Sequence, residues 1–134
     1  TGYTPFTEDN KEVLPHILAK MKSAIHKTAL GAEIILPIKK HPDINSLIED
    51  YRSSGYRICA LEQAYNSVSL VDFNNNGPLL LILGEEVRGT QQNILQSVDT
   101  IIEIPMLGKK ESFNVSVATG IALYELRRNN LTGL

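Results

Sequence analysis

The side chains of this 134-residue chain whose types and spacing suit chemistry are concentrated between residues 79 and 126. Gly84-Glu85-Glu86-Val87-Arg88-Gly89 places three charged groups between glycines, directly after the apolar run Leu79 to Leu83. Gly84 has no side chain to keep a ligand off its backbone. Glu86 and Arg88 are spaced for a salt-bridged loop as well as for a ligand contact. Ile104-Pro105-Met106 follows a second apolar stretch; proline ends a strand ladder there, and Met106 suits either the core or a soft wall against a flat heterocycle. Ser112 and Asn114 stand before an apolar helical pattern. Such residues are ordinary helix punctuation, but a helix start that faces a crevice offers free N–H groups to a carboxylate or phosphate. A separate basic stretch carries His16, Lys20, Lys22, His26 and Lys27 with no acid. It is either a solvated helix face or a local cationic surface for phosphates.

The elements that have to position these groups follow from periodicity and turn signals. Residues 1–12 read as a loop. The pattern predicts a helix over 14–29, ended near Gly31, and a strand over 33–38 stopped by Pro37. Asp43 is a suitable cap for a helix over 44–53, with Ile44, Leu47, Ile48 and Tyr51 at helical spacing. Gly55 ends it, and residues 56–61 form the next strand. Residues 66–71 suit a short helix or an edge segment, and residues 74–78 form a turn. Five consecutive apolar residues from Leu79 to Leu83 fit a strand covered on both faces, as in a parallel sheet between helices. A short helix over 91–96, a strand over 100–106 and a final helix from Ser112 or Asn114 complete an α/β order with short connections. In the last helix Val115, Ala118, Ala122 and Leu126 form one apolar stripe. Phe113, Val117, Ile121 and Tyr124 form another, so the helix is expected to pack on the sheet and on a partner chain.

Bulk properties narrow the function classes. The length fits one domain over 1–134 with a real core. The net charge of −2 gives no global polyelectrolyte signal for nucleic acid. Cys59 is the only cysteine, so no internal disulfide forms and a reducing, cytoplasmic setting is expected. No run approaches the roughly 18 apolar residues of a membrane span, and the opening TGYTPFTEDN lacks the apolar core of a signal peptide. The three histidines show no metal-ligand spacing.

The segment LLLILGEEVRGTQQNILQSVDTIIEIPMLGKKESFNVSVATGIALYEL resembles the second and third motifs of the SpoU class of the SPOUT superfamily, the RNA 2′-O-ribose methyltransferases. The family pattern is a strand ending in Gly-Asn-Glu, a glycine three residues later, an Ile-Pro-Met strand end and Ser-Leu-Asn-Val-Ser opening the last helix. These stand here as Gly84-Glu85-Glu86 with Gly89, Ile104-Pro105-Met106, and Ser112-Phe113-Asn114-Val115-Ser116. TGYTP at 1–5 and KTALGAE at 27–33 also resemble smaller members of the family.

The resemblance implies a parallel-sheet α/β domain with a C-terminal trefoil knot, a topology that periodicity would not suggest. It implies S-adenosylmethionine as methyl donor, tRNA or rRNA as substrate, and a homodimer through the last helix. Leu61, Glu62, Leu83, Gly84, Glu85, Gly89, Ile104, Pro105 and Met106 are then expected around the cofactor, mostly through backbone groups and apolar walls. Ser112 and Asn114 are expected at the floor of the site near methyl donor and ribose, and Glu86 is expected to fix the knot loop. Lys20, Lys22 and Lys27 are the candidates for RNA contact. Glu85 replaces the usual Asn, and Phe113 the usual Leu. The family's first motif, Asn-x-Gly-x-x-x-Arg, is not among these residues, so its strand–helix unit is expected to be missing by truncation. Two alternatives stay open: a non-catalytic S-adenosylmethionine or RNA-binding module, and an unrelated doubly wound nucleotide-binding fold.

Overall fold

A computed structural model describes residues 14–86, 88–108 and 112–131. The expected loop over 1–12 and the TGYTP stretch lie outside the described residues. The chain divides into two compact units, residues 1–44 and residues 45–134.

In the first unit, α1 spans Pro15–Ala29. Pro15 occupies the first turn, where its fixed φ suits a helix and its missing N–H costs nothing. The helix ends at Ala29, as expected, with Leu30 rather than Gly31 as its cap. Leu30 takes a left-handed φ of 52° and its N–H donates to the His26 carbonyl, and Gly31 follows at φ 93°. Residues 33–38 were expected as a strand, and this is corrected: Ala32–Ile35 form a one-turn helix, α2, and extended irregular chain follows. The Leu36 N–H closes that turn on the Ala32 carbonyl. Ile34 and Ile35 have strand-like side chains, but β preference is expressed only against a partner strand, and none lies beside them among the described residues. His26 Nδ1 sits 2.5 Å from Glu33 Oε1 and ties α1 to α2. That contact holds the Glu33 carboxyl below its ordinary value of 4.5.

The second unit holds α3 (Ile44–Ser53), β1 (Arg57–Leu61), β2 (Val68–Ser69), β3 (Leu79–Leu83), α4 (Gln92–Leu95), β4 (Thr100–Glu103) and α5 (Val115–Leu131). The four strands form one parallel sheet in the order β2-β4-β1-β3. The edge alternative for residues 66–71 is the one realised, with Val68 beside Ile102. β1 is flanked on both sides, and Ile58, Cys59 and Ala60 are wholly buried. In β3 only Ile82 is buried, and β3 is an edge strand of the sheet.

The core beneath α5 gathers Cys59, Leu70, Ile102 and Ala122, with Leu61, Phe73, Leu81, Ile104 and Leu126 packed against it. Burial pushes the Cys59 thiol up to about 11, so it stays protonated and is a packing group rather than a nucleophile. Of the two α5 stripes, the one with Ala122 and Leu126 meets the sheet, whereas Val117, Ile121 and Tyr124 are exposed in the single chain. No helix among the described residues is long and apolar enough to cross a membrane.

Candidate functional site

Parallel strands deliver their carboxyl ends to one edge of a sheet, which is where α/β folds place ligand crevices. Here the ends of β1, β3 and β4 and the start of α5 enclose a cavity of about 470 Å³, within the range for small-molecule sites. Leu61, Leu83 and Ile104 supply apolar walls from the three strand ends. Glu62, Glu85, Glu86 and Arg88 bring charge, and Ser112 and Phe113 close the side nearest α5.

The loop after β3 is shaped by close backbone contact. A Cβ on Gly84 would lie 2.5 Å from the Gly89 carbonyl carbon and 2.6 Å from the Thr90 nitrogen, so only glycine fits. Glu85 and Gly89 exchange both backbone hydrogen bonds, at 3.2 and 3.0 Å, and Gly89 takes a left-handed φ of 64°, which glycine adopts without penalty. Across the pocket edge, Glu62 Oε2 accepts the Thr90 N–H at 2.8 Å, and Oε1 accepts the Gln63 N–H at 3.1 Å. The Thr90 hydroxyl oxygen is buried without a hydrogen-bond partner among the described residues.

Leu61, Glu62, Leu83, Gly84, Glu85, Glu86, Gly89, Ile104 and Ser112 therefore converge on one cavity. Pro105, Met106 and Asn114 do not line it. Asn114 is occupied otherwise: its Oδ1 accepts the Ser116 N–H at 2.9 Å and the Ser116 hydroxyl at 2.6 Å, and α5 starts at the next residue. It is the N-cap of α5. The loop ion pair also differs from the Glu86–Arg88 expectation. Arg88 Nε lies 3.7 Å from Glu85 Oε1, because the chain reverses between Glu85 and Gly89 and brings residues three apart together. Glu86 is exposed at the rim, and the Thr90 N–H of this loop is bonded to Glu62.

Sequence reasoning missed Thr90, Leu95, Val115 and Ala118 as lining residues. Val115 and Ala118 stood on the core-facing stripe of α5 and Thr90 beside Gly89, the signals available. Lys20, Lys22 and Lys27 are exposed on α1 in the first unit. Among the described residues no cluster of three His, Cys, Asp or Glu side chains is placed to hold a metal ion.

The sequence pattern of the SpoU rRNA Methylase family matches residues 13–124, across both compact units. The chain belongs to the SpoU family. An uncharacterized tRNA/rRNA methyltransferase of Mycobacterium avium is 30% identical over 82% of this chain and 35% of its own length. Among solved structures, the TrmH/SpoU tRNA modifying enzyme of A. aeolicus superposes with a TM-score of 0.75 at 30% identity, covering 81% of this chain and 55% of that one. The AdoMet-bound rRNA methyltransferase of Sinorhizobium meliloti gives a TM-score of 0.60 at 29% identity, covering 64% and 33%. The chain spans about a third of the length of the curated relatives it matches. The unrelated doubly wound fold is thereby set aside, and SpoU membership gives the cavity its chemical context.

Proposed function

We propose that this SpoU chain carries the cofactor pocket of an S-adenosylmethionine-dependent RNA methyltransferase that modifies the ribose 2′-hydroxyl of tRNA or rRNA. The observation that carries the reading is the cavity at three parallel strand ends, closed by the Gly84–Gly89 backbone contact, within a chain that matches the family over residues 13–124. The residues fit the donor. Leu61, Leu83 and Ile104 offer the apolar walls that a flat, neutral adenine needs. Glu85 and Glu86 put negative charge at the rim, which suits the positive sulfonium and ammonium groups of the donor. When bound, S-adenosylmethionine supplies a methyl group on a sulfonium leaving group.

The work of the chain is placement. Ser112 stands where α5 begins and lines the cavity, so its hydroxyl can hold a ribose oxygen in line with the methyl group. Asn114 caps the first turn of α5. Lys20, Lys22 and Lys27 suit RNA phosphates. Arg88, exposed over 77% of its side chain, is the cation lining the cavity among the described residues. The reading includes a cytoplasmic setting, one methyltransferase domain spanning both units, a trefoil-knotted C-terminal segment, and a homodimer through α5. The dimer is supported by the exposure of Val117, Ile121 and Tyr124 opposite the stripe that meets the sheet.

The test is methyl transfer to unmodified tRNA and rRNA, with 2′-O-methylnucleosides read by mass spectrometry. The reading predicts a new 2′-O-methyl mark on one of the two RNAs. A methyl group found on a base instead of ribose overturns the ribose assignment. A protein that binds the donor and modifies neither RNA is a binding module.

A further inference from the structure

We infer that Glu62 is a positioning residue: its carboxylate holds the 84–90 loop over the pocket, and its contribution to the site runs through that loop rather than through contact with a ligand. The inference rests on the cofactor reading of the cavity. Both carboxylate oxygens are engaged by backbone amides, Oε1 by Gln63 and Oε2 by Thr90. The first bond fixes the side chain to its own strand end. The second reaches 28 positions along the chain to the loop after β3. A Cβ built on Gly89 would come 2.5 Å from Oε2, so the loop backbone lies directly against the carboxylate. On the opposite side the same two residues, Gly89 and Thr90, lie against Gly84. Residues 89–90 are thus held between a carboxylate from the β1 end and the backbone of the β3 end.

Glu62 makes no ion pair among the described residues. Its negative charge is met by oriented N–H dipoles, and bonds of that kind are among the stronger ones in proteins. Deleting the carboxylate also leaves the half-buried Thr90 N–H without its acceptor, a penalty that drives the loop to open. The loop supplies Gly84, Glu85, Glu86, Arg88, Gly89 and Thr90 to the cavity, so an opened loop removes one wall of the site.

Amide hydrogen exchange of the ligand-free protein, paired with calorimetric titration of S-adenosylmethionine, tests this. Glu62→Ala is expected to speed exchange at Thr90 about tenfold, as loss of one charge-assisted hydrogen bond implies, and to weaken S-adenosylmethionine binding by a similar factor. Glu62→Gln keeps an oxygen for the Thr90 N–H and is expected to recover most of the protection; it carries the test if the alanine variant does not fold. Gly89→Ala drives a methyl group into Oε2, so its effect on exchange is expected to shrink when combined with Glu62→Ala. Thr90 exchange unchanged in ligand-free Glu62→Ala, with binding lost, makes Glu62 a direct ligand contact and overturns the inference, as does strict additivity with Gly89→Ala. If the native protein binds no S-adenosylmethionine, the cofactor reading fails, while ligand-free exchange still decides the role of Glu62.

Discussion

The two ends of the parallel sheet use the same device for different purposes. At the amino end, Asp99 Oδ2 accepts the Ile58 N–H at 2.8 Å while the Asp99 N–H donates to the Ile58 carbonyl. Arg52 reaches the same carboxylate and the Ser97 carbonyl, and Arg57 lies over the Phe73 ring and bonds to Asn74 and Thr100. At the carboxyl end, Glu62 Oε2 accepts the Thr90 N–H at the same 2.8 Å, and among the described residues no arginine pairs with it. The amino-end carboxylate sits in a charged network beside a cavity of about 400 Å³ lined by Arg57, Asp99 and Thr100, and the carboxyl-end carboxylate joins a strand to the loop that lines the cavity of about 470 Å³. Among the described residues an arginine pairs with the carboxylate at one end, and backbone N–H groups meet it at the other.

Substitutions at the two ends should therefore separate stability from binding. The largest effect is expected from Gly84→Ala, whose methyl group would meet backbone rather than a movable side chain. It should cost about 2 kcal/mol of stability by overpacking and remove S-adenosylmethionine binding, read by thermal melting and calorimetry. Asp99→Ala is the counterpart at the amino end. It should cost about 2 kcal/mol through the lost bond to the Ile58 N–H while leaving affinity for S-adenosylmethionine unchanged. Equal loss of binding in both variants breaks the comparison.

Much of the carboxyl end was legible in the amino-acid sequence, for local reasons. The apolar run Leu79 to Leu83 ends at a glycine, and that pairing marks a strand end that a backbone can approach. The role of Glu62 was not legible, because its partner is a backbone N–H 28 residues away and no side-chain pattern announces it. Asn114 reads equally as a cap and as a site residue, and its bonds to Ser116 show the cap. Residues 33–38 misled because Ile34 and Ile35 favour strands only where a partner exists, and Gly31 and the Leu36 N–H turn the chain into a helix instead.

Smaller effects sharpen the same contrast. Asn114→Ala removes the α5 cap and should cost about 1 kcal/mol, weakening methyl-donor binding only as far as the first turn of α5 frays. Melting temperature and affinity should fall together; a large loss of affinity at unchanged stability would return Asn114 to the site itself. The smallest effect belongs to Glu33, a carboxylate paired with His26 and with backbone N–H groups of its own turn. Its lowered value means that the contact contributes at neutral pH and is lost as pH falls below 4.5 through the folded-state value. Carboxyl NMR titration should give a midpoint below 4.5, and His26→Ala should raise it.

The most direct test of the central claim is calorimetric titration of S-adenosylmethionine into the native protein beside Gly84→Ala and Asp99→Ala. Saturable binding at one site per chain is expected, retained in Asp99→Ala and lost in Gly84→Ala. Binding that survives Gly84→Ala unchanged, or no binding to the native protein, would contradict it.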